Sequence, residues 1–221
     1  FVPSGSQNKN EVIAQRINGP NLGFTIALSS SEKSSSPEGK FPLFIGISSG
    51  SSNFYFTEEF NKGVFQSFSI VFDRGRSNKV NLYNNGNISK ISNNFLAGDL
   101  SFDGSKLTIG SGSLHSFGSF NFKPELTLSG ALDEFRFFTK AKSAESIKKY
   151  HNKSIWAEPG LNLYYKFNEP SGSFDIISNN SDLILDYSGN SLHSKVQNFN
   201  IRLRNPIGIT TNLTLEDEKY S

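Results

Sequence analysis

The stretch Gln66-Ser67-Phe68-Ser69-Ile70-Val71-Phe72-Asp73, with Lys79-Val80-Asn81-Leu82-Tyr83 and then Asn84-Asn85-Gly86 behind it, decides the fold class. Strand side chains alternate between faces, so Phe68, Ile70 and Phe72 fall on one face, which the period of two directs into a core. Asn-Gly tolerates the positive φ that a tight type I′ hairpin requires, so the chain is expected to reverse at Asn85-Gly86. Working outward, short apolar runs recur along the chain, each bounded by Gly, Asn, Ser or Pro. They predict strands near 11–17, 23–28, 43–48, 53–57, 66–73, 79–83, 106–109, 129–138 and 161–168. This rhythm belongs to an antiparallel sandwich or barrel, not to strands alternating with long helices.

A chain of 221 residues suffices for one large sandwich. Its apolar inventory is lopsided, 21 Phe and 7 Tyr against one Trp and no Met, so aromatic rings must supply much of the buried area. Without cysteine, disulfides and thiolate metal sites are excluded, and the fold rests on packing and hydrogen bonds. A formal net charge of +2, from 22 basic and 20 acidic residues that are well mixed, leaves no electrostatic footprint for nucleic acid. No apolar stretch approaches the length of a transmembrane helix, so membrane insertion is not expected. The opening Phe1-Val2-Pro3-Ser4-Gly5 lacks the regions of a signal peptide, and a chain without Met reads as a piece of something longer.

The serine-rich run 29–40 and the glycine-serine segment 104–119 are too polar for a core and are expected as rim loops. One segment reads as helix. Ser143 suits an N-cap, Glu145 suits the positive first turn, and Ala144, Ile147, Lys148 and Tyr150 continue it to about Asn152.

The run Gly130-Ala131-Leu132-Asp133-Glu134-Phe135-Arg136-Phe137-Phe138, followed by Ser143-Ala144-Glu145-Ser146-Ile147, resembles the last strand and following short helix of laminin-G-like, concanavalin-type jelly rolls. Upstream, Phe68 to Asp73, Val80-Asn81-Leu82-Tyr83-Asn84-Asn85-Gly86 and Lys106-Leu107-Thr108-Ile109-Gly110 are similar to other strands of that family, in the family's order. A second resemblance follows: Leu163-Tyr164-Tyr165-Lys166-Phe167-Asn168-Glu169-Pro170-Ser171-Gly172, then Asp186-Tyr187-Ser188-Gly189-Asn190-Ser191-Leu192-His193, looks like the opening of such a domain. The closing motif (130–152) therefore precedes the opening motif (161–193). Either residues 161–221 begin a second sandwich, or they fold back to complete the first as a circular permutation. About 60 residues cannot bury a sandwich core of their own, which favours permutation. The resemblance thus implies an all-β, two-sheet antiparallel β-sandwich (jelly roll), circularly permuted, with one short helix. The sandwich would span 1–200, and 201–221 would connect to further sequence.

Candidate site residues are few. If 129–138 is one strand, Asp133 shares a face with Phe135 and Phe137, and a carboxylate heading into apolar surroundings needs N–H donors or a cation. It either caps a neighbouring loop or, as the resemblance implies, joins Asp186 and Asn190 in holding a structural Ca²⁺, the only cofactor the sequence suggests. Hard oxygen ligands and a tight glycine turn suit Ca²⁺, yet Asp186-Tyr187-Ser188-Gly189 equally reads as an Asx turn. Glu134 and Arg136, two apart, are expected to pair with each other or across strands. His115, His151 and His193 lack metal-ligand spacing and read as surface or hydrogen-bonded residues. Glu58-Glu59 face opposite sides of a strand and make a poor acid–base pair; no nucleophile elbow or phosphate loop occurs, so no catalysis is expected. Trp156 sits in the connection between the motif blocks, where covering a core edge is the simplest role and stacking on a sugar the alternative. Asn87, Asn152, Asn179 and Asn212 stand in glycosylation sequons, which matter only in a source that glycosylates.

The expected function is a non-catalytic structural or adhesion module of a larger, extracellular or viral protein, on the resemblance to domains set into phage virion and tail components. Its partners would be sibling structural proteins or a cell-surface glycan, with the parent protein an oligomer. The alternative is a carbohydrate-binding lectin module, calcium-dependent if the Ca²⁺ reading of Asp133, Asp186 and Asn190 holds.

Overall fold

The computed structural model describes residues 1–4, 8–30, 39–50, 52–93, 95, 98, 100, 104–168 and 183–197. Most of the serine-rich run, the motif residues 169–172, the sequons at Asn179 and Asn212 and the 201–221 connector lie outside the described residues. The protein is all-β, built from antiparallel sheets with one short helix among the described residues. It divides into two compact units, Phe1–Ala131 with Ala141–Lys153, and Leu132–Lys140 with Ser154–Ser221.

In the first unit, β1 (Glu11–Ile17), β2 (Leu22–Leu28), β3 (Lys40–Ser49), β4 (Asn53–Asn61) and β8 (Leu107–Ile109) form a sheet in the order β4-β3-β2-β1-β8. A second sheet is the meander β5 (Phe68–Asp73), β6 (Lys79–Asn84) and β7 (Asn87–Ile91). The β6–β7 turn carries Asn85 at φ 47° and Gly86 at φ 76°, the two positive values a type I′ turn needs.

Strand β3 explains the layering. Phe41, Leu43, Ile45 and Ile47 alternate onto one face and pack with Val80, Leu82 and Phe95, against which Phe68, Ile70 and Phe72 also rest. That is the interior of a two-sheet sandwich. Phe44 points the other way, into a second apolar cluster with Val12, Ala27, Phe117 and Phe122. One open side is tied by Lys90 of β7, whose ammonium donates to Thr57 O at 2.9 Å, pairs with Glu58 at 3.3 Å and lies over the Phe56 ring.

The second cluster corrects the expectation of a rim loop over 104–119. Residues β9 (His115–Phe117) and β10 (Phe120–Phe122) form a hairpin laid on the far face of the five-stranded sheet. The Phe44 ring stacks on Phe122 at 4.9 Å and meets Phe117 edge-on at 5.5 Å. A Cβ on Gly46 would fall 2.4 Å from the Phe117 ring, so glycine is what allows the hairpin to approach so closely. Alternating rings over two three-residue strands outweigh the polarity of the surrounding sequence.

Under this hairpin lies a buried polar chain. Gln15 Nε2 donates to Thr25 Oγ1 at 2.9 Å, and Thr25 Oγ1 lies 2.8 Å from His115 Nδ1. The direction of the bond between Thr25 and Nδ1 follows the tautomer of the neutral His115 ring, since the Thr25 hydroxyl can both donate and accept. His115 is fully buried, and desolvation pushes its pKa from 6.5 down to about 4.

The helix α1 (Ala144–Tyr150) begins as predicted: Ser143 caps it, its side chain accepting from Ser146 N at 3.2 Å, and Ile147 is buried.

A histidine buried neutral must take up a proton on unfolding, so its contribution is complete above pH 6.5 and is lost as pH falls toward 4. Urea unfolding followed between these pH values should show about 3 kcal/mol of lost stability, and a His115→Gln variant should show a much flatter slope. Equal slopes in the two proteins would refute the assignment.

Candidate functional site

The second unit is built on β11 (Phe135–Phe138), which pairs antiparallel with β12 (Leu161–Tyr165) in the register Phe135 to Tyr165 and Arg136 to Tyr164. Strand 129–138 is therefore shorter than its pattern suggested. It starts only at Phe135 because Glu134 takes φ 53°, a left-handed conformation unfavourable for a side-chain-bearing residue. Asp133 consequently does not share a strand face with Phe135 and Phe137; it is exposed.

Three side chains hold Glu134 in that conformation. Arg136 Nη2 and the Tyr164 hydroxyl both donate to Glu134 Oε2, and the Ser154 hydroxyl donates to Oε1 at 3.1 Å. The Glu134–Arg136 pair expected from their spacing is present. Tyr164 is fully buried, and desolvation, then the bond to Glu134, raises its phenol pKa. The phenol stays protonated and keeps donating.

The 186–193 turn docks on β12, which it meets through an antiparallel bridge between Tyr165 and Asp186. Asp186 Oδ1 accepts from Tyr164 N at 2.9 Å and Ser188 N at 2.9 Å; Oδ2 accepts from the Ser188 hydroxyl at 2.8 Å and Leu192 N at 3.0 Å. The Asp186 N–H donates to His193 Nδ1 at 3.0 Å. Asn190 turns its amide nitrogen inward, donating to Leu161 O at 3.0 Å and Asn162 O at 3.1 Å. Burial alone would raise the Asp186 carboxyl, but the Ser188, Leu192 and Tyr164 N–H groups and the Ser188 hydroxyl hold it below the ordinary carboxylate range.

This donor set does not fit a cation. Both Asp186 oxygens face hydrogen-bond donors, Asn190 presents nitrogen to carbonyls, and Asp133 is not among their partners, its carboxylate accepting from the Glu134 N–H instead. Among the described residues no group of three His, Cys, Asp or Glu side chains is arranged to hold a metal ion. Of the two readings of Asp186 left open by the sequence, the geometry matches the Asx turn.

Trp156 lies where the sequence did not suggest. Packing over a core edge was the simplest role; instead the indole is 93% exposed. Its flanks are anchored: Ile155 N donates to Tyr164 OH at 3.4 Å, and the Ala157 Cβ lies 3.7 Å from where a Cβ on Gly189 would sit. The segment is tied to β12 before the ring and lies close to the 186–193 turn after it, and the ring between them faces water. Nearby on the turn, Tyr187 is 39% exposed. No residue pattern within 154–159 signals this exposure, because it depends on contacts made with β12 and the turn.

In the first unit, Lys106, Thr108, Ser111 and Ser113 line an open hollow of about 320 Å³ beside Gln15. The Gln15 amide is already engaged with Thr25 and with both main-chain groups of Ser113, so this floor offers a ligand little.

Replacing Asp186 by Ala strands the buried N–H groups of Tyr164 and Ser188, and should destabilise the second unit by on the order of 3 kcal/mol. Amide exchange at Tyr164 reads this out. Addition of Ca²⁺ or of a chelator should leave the melting temperature of the unaltered protein unchanged; a rise with Ca²⁺ would show that a cation site exists after all.

No protein-family model matches this sequence, and no curated protein matches it. Among solved structures, the chain is similar to a provisionally assigned carbohydrate-binding protein from Bacteroides ovatus, with a TM-score of 0.53 and 18% identity over 86% of this chain and 48% of that one. The chain thus spans about half the length of that protein. It is also similar to an S-layer domain-containing protein from Clostridium thermocellum, with 21% identity over 69% of this chain and 67% of that one, but the TM-score of 0.36 is too low to bear on the fold. The Bacteroides likeness shows a shared fold.

Proposed function

We propose that this chain is a non-catalytic carbohydrate-binding module of a surface-exposed or extracellular protein. The observation that carries the reading is Trp156, an indole left 93% exposed on an anchored segment. Tryptophan is usually well buried, because its large apolar surface is costly to leave in water. A flat, fixed, exposed indole offers a pyranose ring an apolar face to cover and an N–H to accept from. The carbohydrate-binding assignment of the structurally similar Bacteroides protein points the same way, although a shared fold does not by itself imply a shared function.

A non-catalytic role is supported by how the carboxylates are used. Glu58 pairs with Lys90, Glu134 serves Arg136 and Tyr164, and Asp186 is taken up by its turn. Adhesion, as part of a larger extracellular or phage virion protein, is the same activity put to use: attachment to a cell-surface glycan. The laminin-G-like and virion aspects of that setting rest on motif resemblance.

A glycan array probed with the full chain, with and without chelator, tests the reading. Binding to a defined set of glycans that survives chelator, with no release of reducing ends from the corresponding polysaccharides, is the expected result. Silence across the array would sink carbohydrate binding, and turnover of a polysaccharide would sink the non-catalytic assignment.

A further inference from the structure

The surroundings of Trp156 point to a class of sugar. Lys166 follows β12, and its ammonium lies 5.0 Å from the centroid of the Tyr187 ring and 5.6 Å from that of Tyr164. Tyr164 and Tyr187 meet edge to face at 6.3 Å, which fixes the two rings relative to each other. Two aromatic faces attract a cation and position it without neutralising it.

Among the described residues, no ion pair joins Lys166 to a carboxylate. Glu134 is engaged by Arg136, Tyr164 and Ser154, and Asp186 by four donors. Lys166 is thus a half-buried cation, held in place beside the 186–193 turn, with its charge available to an incoming anion. Trp156 borders the same surface, because the N–H of Ile155 before it meets the hydroxyl of Tyr164, whose ring the Lys166 ammonium faces, and Ala157 after it approaches the turn at Gly189.

We propose that Trp156, Tyr187 and Lys166 form one site that selects a pyranose bearing a carboxylate, its ring stacked on the indole and its carboxylate paired with the Lys166 ammonium. This inference rests on the carbohydrate-binding reading and deepens it. A neutral sugar would use the indole alone, whereas an acidic one gains a charge-assisted hydrogen bond in a setting less hydrated than open solvent.

Trp156 is the only tryptophan of the chain, so intrinsic fluorescence of the full protein reports on this one ring. Oligogalacturonate, oligoglucuronate and sialyllactose are titrated against neutral gluco- and galacto-oligosaccharides. The expected result is that at least one acidic sugar shifts the emission and shields the indole from acrylamide, with an affinity at least about tenfold above its neutral counterpart, equivalent to about 1.4 kcal/mol. That preference should weaken as salt is raised. Calorimetry should show that Lys166→Met abolishes the preference for the acidic sugar while leaving the melting temperature in place, that Lys166→Arg retains it, and that Trp156→Ala loses binding of both classes. Neutral sugars binding as well as acidic ones, an unchanged preference in Lys166→Met, or acidic binding that leaves the indole signal unmoved would each overturn this site while sparing the broader reading. Binding of neither class would bring down both.

Discussion

Strand β3 is buried on both faces, and that constraint organises the first unit. A strand enclosed on one side can leave polar residues on the other, but Phe41, Leu43, Ile45 and Ile47 on one face and Phe44 on the other all need cover. The meander β5–β7 covers one side and the β9–β10 hairpin covers the other. With no cysteine in the chain, the stability of this layering comes from rings: a buried aromatic side chain removes a large apolar area from water, and its edge and face packing adds to that. Gly46 is the local counterpart of the same demand, because only a missing side chain lets the Phe117 ring sit against β3.

Burying the hairpin brings polar groups under cover, and a chain of hydrogen bonds links them. Gln15, Thr25 and His115 come from three strands, and the chain ends on a histidine ring kept neutral by its surroundings. The second unit solves a different problem by the same means. There the demand is to hold a turn and a strand together with little apolar surface, and Asp186 does it by accepting from two elements at once, its own turn and β12. A carboxylate so saturated is a structural clamp. Its oxygens meet three N–H groups and one hydroxyl, the arrangement of an Asx turn docked on a strand and not of a carboxylate turned toward a cation.

The parts of this fold legible in the sequence are those whose signal is local. Phe68, Ile70 and Phe72 announced a half-buried strand, Asn85-Gly86 a type I′ turn, Ser143 a helix cap, and Asp186 to Gly189 an Asx turn, because each depends on residues within a few positions of one another. What escaped depends on distant partners. The 115–122 hairpin consists of three-residue strands around Gly118-Ser119, too short for periodicity to register, and its burial is decided by Phe44 and Gln15 elsewhere in the chain. The left-handed Glu134 escaped because its conformation is imposed by Arg136, Ser154 and Tyr164 together. That one dihedral moved Asp133 off the strand face on which a period of two had placed it.

Trp156 was the least legible residue and the most informative one. A lone tryptophan in a connecting segment is, on average, a core residue, since most of its surface favours burial. Exposure at this site goes with the Ile155 N–H on Tyr164 before it and the approach of Ala157 to the turn at Gly189 after it, which hold the backbone without enclosing the ring. An exposed side chain on a loose segment would gain little from a ligand, because ordering the segment would offset the contact; here that ordering is already built into the fold. The same hydrogen bonds that saturate Asp186 therefore do more than stabilise the turn. They hold the turn against β12, and the Ile155 N–H on Tyr164 ties the 154–159 segment to the same strand, so that the proposed partners Trp156 and Lys166 stand on one framework, the first able to cover a sugar ring and the second to meet its charge.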